Sequence, residues 1–163
     1  MKNYIIQKMI EYFQNDVKRI NHALKVFNFA QIISYDLSLE EKTKEIIIYA
    51  AILHDIGIKE AEKKYDSSIG KYQEIEGPPI AREMLSDLKI SEEIINRVCT
   101  IIGNHHSYTK MKGIDFQVVV EADFLVNIFE ENMGKNAIKN IENRIFKTGT
   151  GKKLIMTMYL NEN

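Results

Sequence analysis

The stretch EIIIYAAILHDIGI, Glu45–Ile58, decides how this chain folds. Its apolar run from Ile46 to Leu53 carries no polar face, so whatever element it forms lies inside the molecule. Ser38 followed by Glu41 is a capping-box pattern. It predicts a helix that starts near Leu39 and proceeds through Ile46, Ile47, Ala50 and Leu53. Gly57 reads as its stop signal. The run then ends on a histidine and an aspartate, His54 and Asp55, the residue types that a buried helix should exclude.

Outward from this helix, apolar residues recur at three and four positions nearly everywhere, and no convincing strand pair or internal repeat interrupts them, which predicts an all-α fold. One helix is expected over about Tyr4 to Phe13, with Ile5, Met9 and Phe13 on one face, and a second over about Asp16 to Tyr35. The stretch Ile58–Gly77 is the most polar and least regular, and reads as a long loop with one short helix at its start. Pro78 and Pro79 suit the first turn of a fourth helix, about Pro79 to Leu88. Ser91 caps a fifth, to about His105, and Asp115 a sixth, from Phe116 to about Glu131. Segments about Asn136 to Phe146 and Lys152 to Tyr159 complete a single domain spanning 1–163. Its motif-bearing core covers about 17–127 and its C-terminal helices about 134–160.

Composition excludes several classes. With 22 basic and 23 acidic residues the net charge is −1, and neither sign forms a long block. The chain therefore lacks the footprint of a protein that grips long nucleic acid. The N-terminus MKNYIIQKMIEYF is too short in apolar residues for a signal peptide, and no segment approaches a membrane span. Cys99, the single cysteine, is flanked by Val98, Ile101 and Ile102 and reads as a buried structural thiol in a reducing compartment. A cytoplasmic protein is the expectation. KTGTGKK, Lys147–Lys153, looks like a phosphate loop, but the first glycine of that spacing would fall on Phe146 and no Ser or Thr follows the lysine, so it reads as a turn.

Helical phase places three ionisable groups on inward faces. His22 shares a face with Val26, Ala30 and Ile33; His54 follows Ile47, Ala50 and Ala51; Asp123 follows Val119 and precedes Val126 and Asn127. Burying one unpaired polar group costs roughly 2–7 kcal/mol, and a charge more. Several such groups together exceed the net stability of about 5–15 kcal/mol that a domain of this size commands. A divalent cation resolves the conflict, because imidazole and carboxylate are the ligands that a first-row metal accepts. Bundle cores hold metals in this way, through inward side chains on facing helices.

The order His22, His54–Asp55, Asp123, each on its own helix, resembles the H…HD…D signature of the HD-domain superfamily of metal-dependent phosphohydrolases. INHALKVFNFAQII around His22, AAILHDIGI around the pair and VVVEADFLVNI around Asp123 are similar to that family's pattern. The resemblance implies an all-α, single-domain helical bundle with a metal site in its core. It implies His22, His54, Asp55 and Asp123 as ligands of a divalent metal (Fe, Mn, Co, Mg or Zn). It also implies hydrolysis of a phosphate ester of a small molecule, in this reading a nucleotide.

Members with two metals add histidines between the HD pair and the last aspartate. IIGNHHSYT looks like one such addition, with His105 as ligand and His106 as a flanking or substrate-contacting group. Where the family often shows another histidine this chain reads YQEIEGPPIA, so Glu76 is the nearest substitute ligand, with Glu74 as the alternative. Asp55 then serves catalysis as the residue that bridges two ions. Lys59, just past the pair, is the candidate catalytic cation for the phosphate, and Lys25 a second. Glu60 could order the attacking water, although KEAEKK equally reads as a solvated helix face. Two other readings stay open: a di-iron oxygenase of this fold, and a non-catalytic nucleotide-binding sensor. The expected partner is a small phosphorylated substrate, with no membrane and no long nucleic acid, and a homo-oligomer is compatible with the chain.

Overall fold

The computed structural model describes residues 1–161, and among them the secondary structure is helical, with no strand. Helix α1 spans Lys2–Phe13, α2 Val17–Tyr35, α3 Glu41–Leu53, α4 Ile58–Tyr65 and α5 Gly70–Ser86. Helix α6 spans Glu92–Ile102, α7 Ile114–Glu130, α8 Lys135–Ile145 and α9 Gly149–Ile155, with a π-helical turn over Met156–Leu160. No helix among the described residues is long and apolar enough to cross a membrane.

Helix α3 is the axis of the bundle. It packs on α1, α2, α6 and α7, which is why its run from Ile46 to Leu53 needs almost no polar face. Its start differs from the capping-box expectation. Glu40 is the N-cap and no side chain caps the helix; Leu37 and Leu39 pack against the core just before it, and the helix starts two residues later than expected. Asp16 caps α2 by accepting from the Arg19 amide at 3.2 Å, and Ser91 caps α6 by accepting from Ile94. Asp115 is no cap: α7 begins at Ile114 after Gly113, whose φ is 93°, and Asp115 receives two hydrogen bonds from Arg97 at 2.6 and 2.7 Å.

The polar stretch after Ile58 is not a long loop. It folds as α4, a four-residue link and the first two turns of α5, so Pro78 and Pro79 lie inside a helix rather than at its start. Prolines there deprive the carbonyls of Glu74 and Ile75 of their usual donors, a cost that packing along α4 and α6 must offset. One such contact is the Cys99 thiol, half-buried and donating to the Pro78 carbonyl at 3.4 Å. Burial raises that thiol's pKa, as expected of an inert structural cysteine.

Gly57 does something other than stop α3. Helix α3 ends at Leu53, residues 54–57 make a tight turn, and Gly57 has an ordinary helical φ of −75° as the N-cap of α4. Its lack of a side chain matters for packing, since a Cβ there would lie 2.4 Å from the Gln73 carbonyl oxygen and 2.5 Å from the Gly77 nitrogen. Backbone meets backbone at this point, and that contact seats α5 beside the His54–Asp55 turn. Gly57→Ala is therefore expected to destabilise the fold by about 2 kcal/mol, a fall of roughly 6 °C in Tm by calorimetry. An unchanged Tm would contradict this close approach.

KTGTGKK forms the α8–α9 corner and binds an anion that belongs to the chain itself. Buried Glu121 accepts from the Lys147 and Thr148 amides at 2.6 and 3.0 Å and from the Thr148 hydroxyl at 2.5 Å. Thr148 in turn caps α9 by accepting from Gly151 at 2.9 Å. The amides that a phosphate loop would offer are thus already used.

Candidate metal centre

His22 on α2, the His54–Asp55 turn after α3, and Asp123 on α7 meet where the three central helices converge. His22 Nε2 lies 3.1 Å from His54 Nε2 and 3.1 Å from Asp123 Oδ1. His54 Nε2 is 3.5 Å from Asp123 Oδ1, and both imidazole nitrogens are 3.5 Å from Asp55 Oδ2. The other oxygen of Asp55 faces the opposite way, 3.2 Å from His105 Nε2. Two groups of potential ligands result: His22, His54 and Asp123, all buried, and Asp55, His105 and His106 beside them. Asp55 joins the two.

The protons on the three inner histidines follow from their outer partners. Nδ1 of His54 sits 2.9 Å from the Ala51 carbonyl, and Nδ1 of His105 2.7 Å from that of Ile102. A carbonyl only accepts, so each Nδ1 carries the hydrogen and donates it. His22 Nδ1 likewise donates to Glu130 Oε2 at 2.9 Å. In the neutral tautomer the Nε2 lone pairs of His22 and His54 then face each other and two carboxylates, and that of His105 faces the far oxygen of Asp55. Lone pairs at 3.1–3.5 Å repel unless positive charge lies between them. The donor set therefore fits one or two divalent cations, with the outer hydrogen bonds already orienting the ligands.

The same demand for positive charge governs the ionisation of the cluster. Burial works against protonating His22, yet the hydrogen bond to Asp123 and the charges of Asp55 and Asp123 raise it to about 9. His54, fully buried, is also raised, against its desolvation, by Asp55 and Asp123. Asp55 and Asp123 fall well below the usual carboxylate range despite burial: the charge of His54 acts first on Asp55, and hydrogen bonds from His22 and His54 on Asp123. His106 departs the other way, lowered to about 4 by burial and by His105 beside it.

Not every residue expected at the centre is brought there. Glu76 faces the opposite side of α5, where Lys64 donates to it at 2.5 Å and the Tyr65 hydroxyl at 3.0 Å, so both carboxylate oxygens are engaged away from the centre. Glu74 accepts from the His106 amide and the Ser107 hydroxyl, both at 3.0 Å, and anchors that turn instead of facing a metal. The residue that does face the centre from this helix is Gln73, whose Oε1 is 3.4 Å from His106 Nε2. Its amide donates to the Ser68 carbonyl at 2.5 Å, which leaves Oε1 as an acceptor directed inward. Lys59 also points elsewhere, donating to the Tyr12 carbonyl at 2.7 Å across the Tyr12 ring. Glu60 lines the cleft that holds Glu76. Lys25 donates to Glu130 at 2.8 Å and so stands behind His22.

A cavity of about 370 Å³ opens onto the centre. His22, Asp55 and Asp123 reach it from the centre, Gln73 and His106 from one flank, and Lys18 and Arg19 from another. Asn127 and Glu130 line it as well, and together with Lys18 and Arg19 they are discernible from the sequence by their distance from the ligands. Arg19 precedes His22 by one turn, Asn127 follows Asp123 by one and Glu130 by two, and Lys18 lies beside Arg19. Gln73 carried no such signal, since its helix was hidden by the prolines.

A model of the HD domain family matches residues 19–147 of the chain, a span that includes all four residues of the H…HD…D order. No curated protein and no solved structure matches it.

Proposed function

The chain belongs to the HD domain family, whose members are generally metal-dependent phosphohydrolases, and we propose that it hydrolyses the phosphate ester of a small molecule. The observation that carries this reading is the pair of adjacent ligand groups joined by Asp55, in which the Nε2 lone pairs of His22, His54 and His105 all face carboxylates while each histidine donates outward through Nδ1. His22, His54 and Asp123 would hold one cation, and Asp55, His105 and His106, with Gln73 alongside, a second. Bound there, the metal supplies a Lewis acid for the phosphoryl oxygen and a water acidified to near neutrality. Asp55, with one oxygen toward each group, would contribute a ligand atom to each. Arg19, fixed by Asp16 and Glu62 at 2.6 Å each, and Lys18 offer the positive charge that a phosphate needs at the mouth. In the same reading the chain acts in the cytoplasm, where its free thiol Cys99 stays reduced.

Phosphate release from a panel of phosphate esters, with manganese, iron, cobalt, magnesium or zinc added to metal-stripped protein, tests the proposal. Turnover that vanishes on chelation is the expected result. Oxygen uptake with no phosphate released would replace the reading with an oxygenase.

Glu130 holds the first histidine in its ligating tautomer. Although partial burial opposes it, hydrogen bonds from Lys25 and His22 keep its carboxyl below the ordinary range, so it stands ionised behind the imidazole. Glu130→Ala should weaken metal binding by about 10–100-fold in a calorimetric titration. Affinity equal to that of the unaltered protein would remove Glu130 from the site.

A further inference from the structure

We propose that the ester this site takes, on the hydrolase reading above, is a sugar or polyol monophosphate: a phosphate whose alcohol carries several hydroxyls and no base. Three independent properties of the cavity point there.

The first is its lining. Ile58 is the one apolar side chain on the wall, and no Phe, Tyr or Trp among the described residues lines it; its only rings are the His22 and His106 imidazoles, which belong to the ligand groups themselves. A nucleobase is recognised largely by stacking on broad aromatic or apolar faces, and with both imidazoles placed to ligate a metal this wall leaves only Ile58 for that role.

The second is charge. Lys18 makes no ion pair among the described residues, whereas Arg19 is shared between Asp16 and Glu62, and Lys25 is held by Glu130. Asp16, Glu130 and Glu131 stand around the mouth as carboxylates. Free positive charge therefore matches one phosphate group, and a diphosphate or triphosphate tail would meet acids of its own sign.

The third is the balance of donors and acceptors. Asn127 and Gln73 line the cavity and each donates one amide hydrogen away, to Asp123 at 2.9 Å and to Ser68 at 2.5 Å, which leaves the Asn127 oxygen without a donor among the described residues and the Gln73 oxygen with only the 3.4 Å contact to His106 Nε2. Glu131 is exposed and adds a carboxylate. A wall with acceptors to spare complements a ligand rich in donors, and hydroxyl groups are such donors. At about 370 Å³ the cavity lies toward the small end of the 300–1,000 Å³ usual for small-molecule sites, which suits a short-chain sugar.

Three substrates separate the alternatives on the manganese-loaded protein, with metal content measured alongside. Ribose 5-phosphate, adenosine 5′-monophosphate and ethyl phosphate share the ester and differ in base and hydroxyls. The kcat/KM for ribose 5-phosphate should equal or exceed that for the adenosine ester and exceed that for ethyl phosphate by at least roughly tenfold. Glu131→Ala should raise KM for ribose 5-phosphate several-fold more than for ethyl phosphate. A preference for the adenosine ester, ethyl phosphate within tenfold of the sugar, or an equal KM change in the variant would overturn the substrate class. The hydrolase reading would survive those outcomes. It fails separately if the metal-loaded protein releases phosphate from no ester at all.

Discussion

Asp55→Ala is expected to lose on the order of 10³-fold in kcat, about 4 kcal/mol of transition-state stabilisation, while keeping its fold. This carboxylate has two faces. Oδ2 is 3.5 Å from the Nε2 atoms of His22 and His54, and Oδ1 is 3.2 Å from that of His105. No other side chain among the described residues reaches both ligand groups. Removing it takes a negative charge from between three imidazoles and uncouples the two cation positions, so metal content should fall along with turnover. Asp55 contributes little to the core, and its side chain is 21% exposed, so the helical circular dichroism of the variant should match that of the unaltered protein. Asp55→Asn preserves the shape and one oxygen but not the charge, and should fall between the two. Activity of Asp55→Ala within tenfold of the original, at equal metal occupancy, would remove the carboxylate from the chemistry.

The positions of His22, His54 and Asp123 were legible because a buried helix imposes its phase on the sequence. A polar residue among Val26, Ala30 and Ile33, or among Val119 and Val126, is conspicuous, and the structure buries all three side chains. What the phase argument could not reach was the α4–α5 region. Its polar composition reads as a loop, and two prolines mask a helix that begins eight residues before them. Two consequences follow. Spacing alone points to Glu76, whose carboxylate is spent on Lys64 and Tyr65, and gives no sign of Gln73, although the Gly57–Gly77 contact presses its turn against the site. Nearness in sequence to the HD pair points to Lys59. The turn that ends α3 sends it to Tyr12 instead. Proximity along the chain is a poor guide just after a turn, whereas helical phase is a good one within a helix.

The metal-free protein should be most stable near pH 6.5 and lose stability on both sides, by about 3 kcal/mol for each of two opposed histidines. His22 is raised from 6.5 to about 9, so its contribution is complete below pH 6.5 and is lost as pH climbs through 9, where the folded state releases the proton. His54 is raised as well and deepens the same alkaline fall. His106 is lowered from 6.5 to about 4, so its neutral form favours the folded state above pH 6.5 and that advantage disappears as pH drops toward 4. Asp55 and Asp123, both lowered, retain their stabilising contribution through this whole window and lose it only in stronger acid. A bound cation removes the alkaline limb. It takes the place of the protons that His22 and His54 would otherwise hold, so nothing remains to be released between pH 6.5 and 9. Urea denaturation across this range, with chelator and with manganese, should therefore give curves that diverge as pH rises, and the stabilisation by manganese should grow in step. A chelated protein whose stability holds level or climbs from pH 7 to 9 would mean that His22 carries no proton there, and the cluster would have to balance its carboxylates in another way.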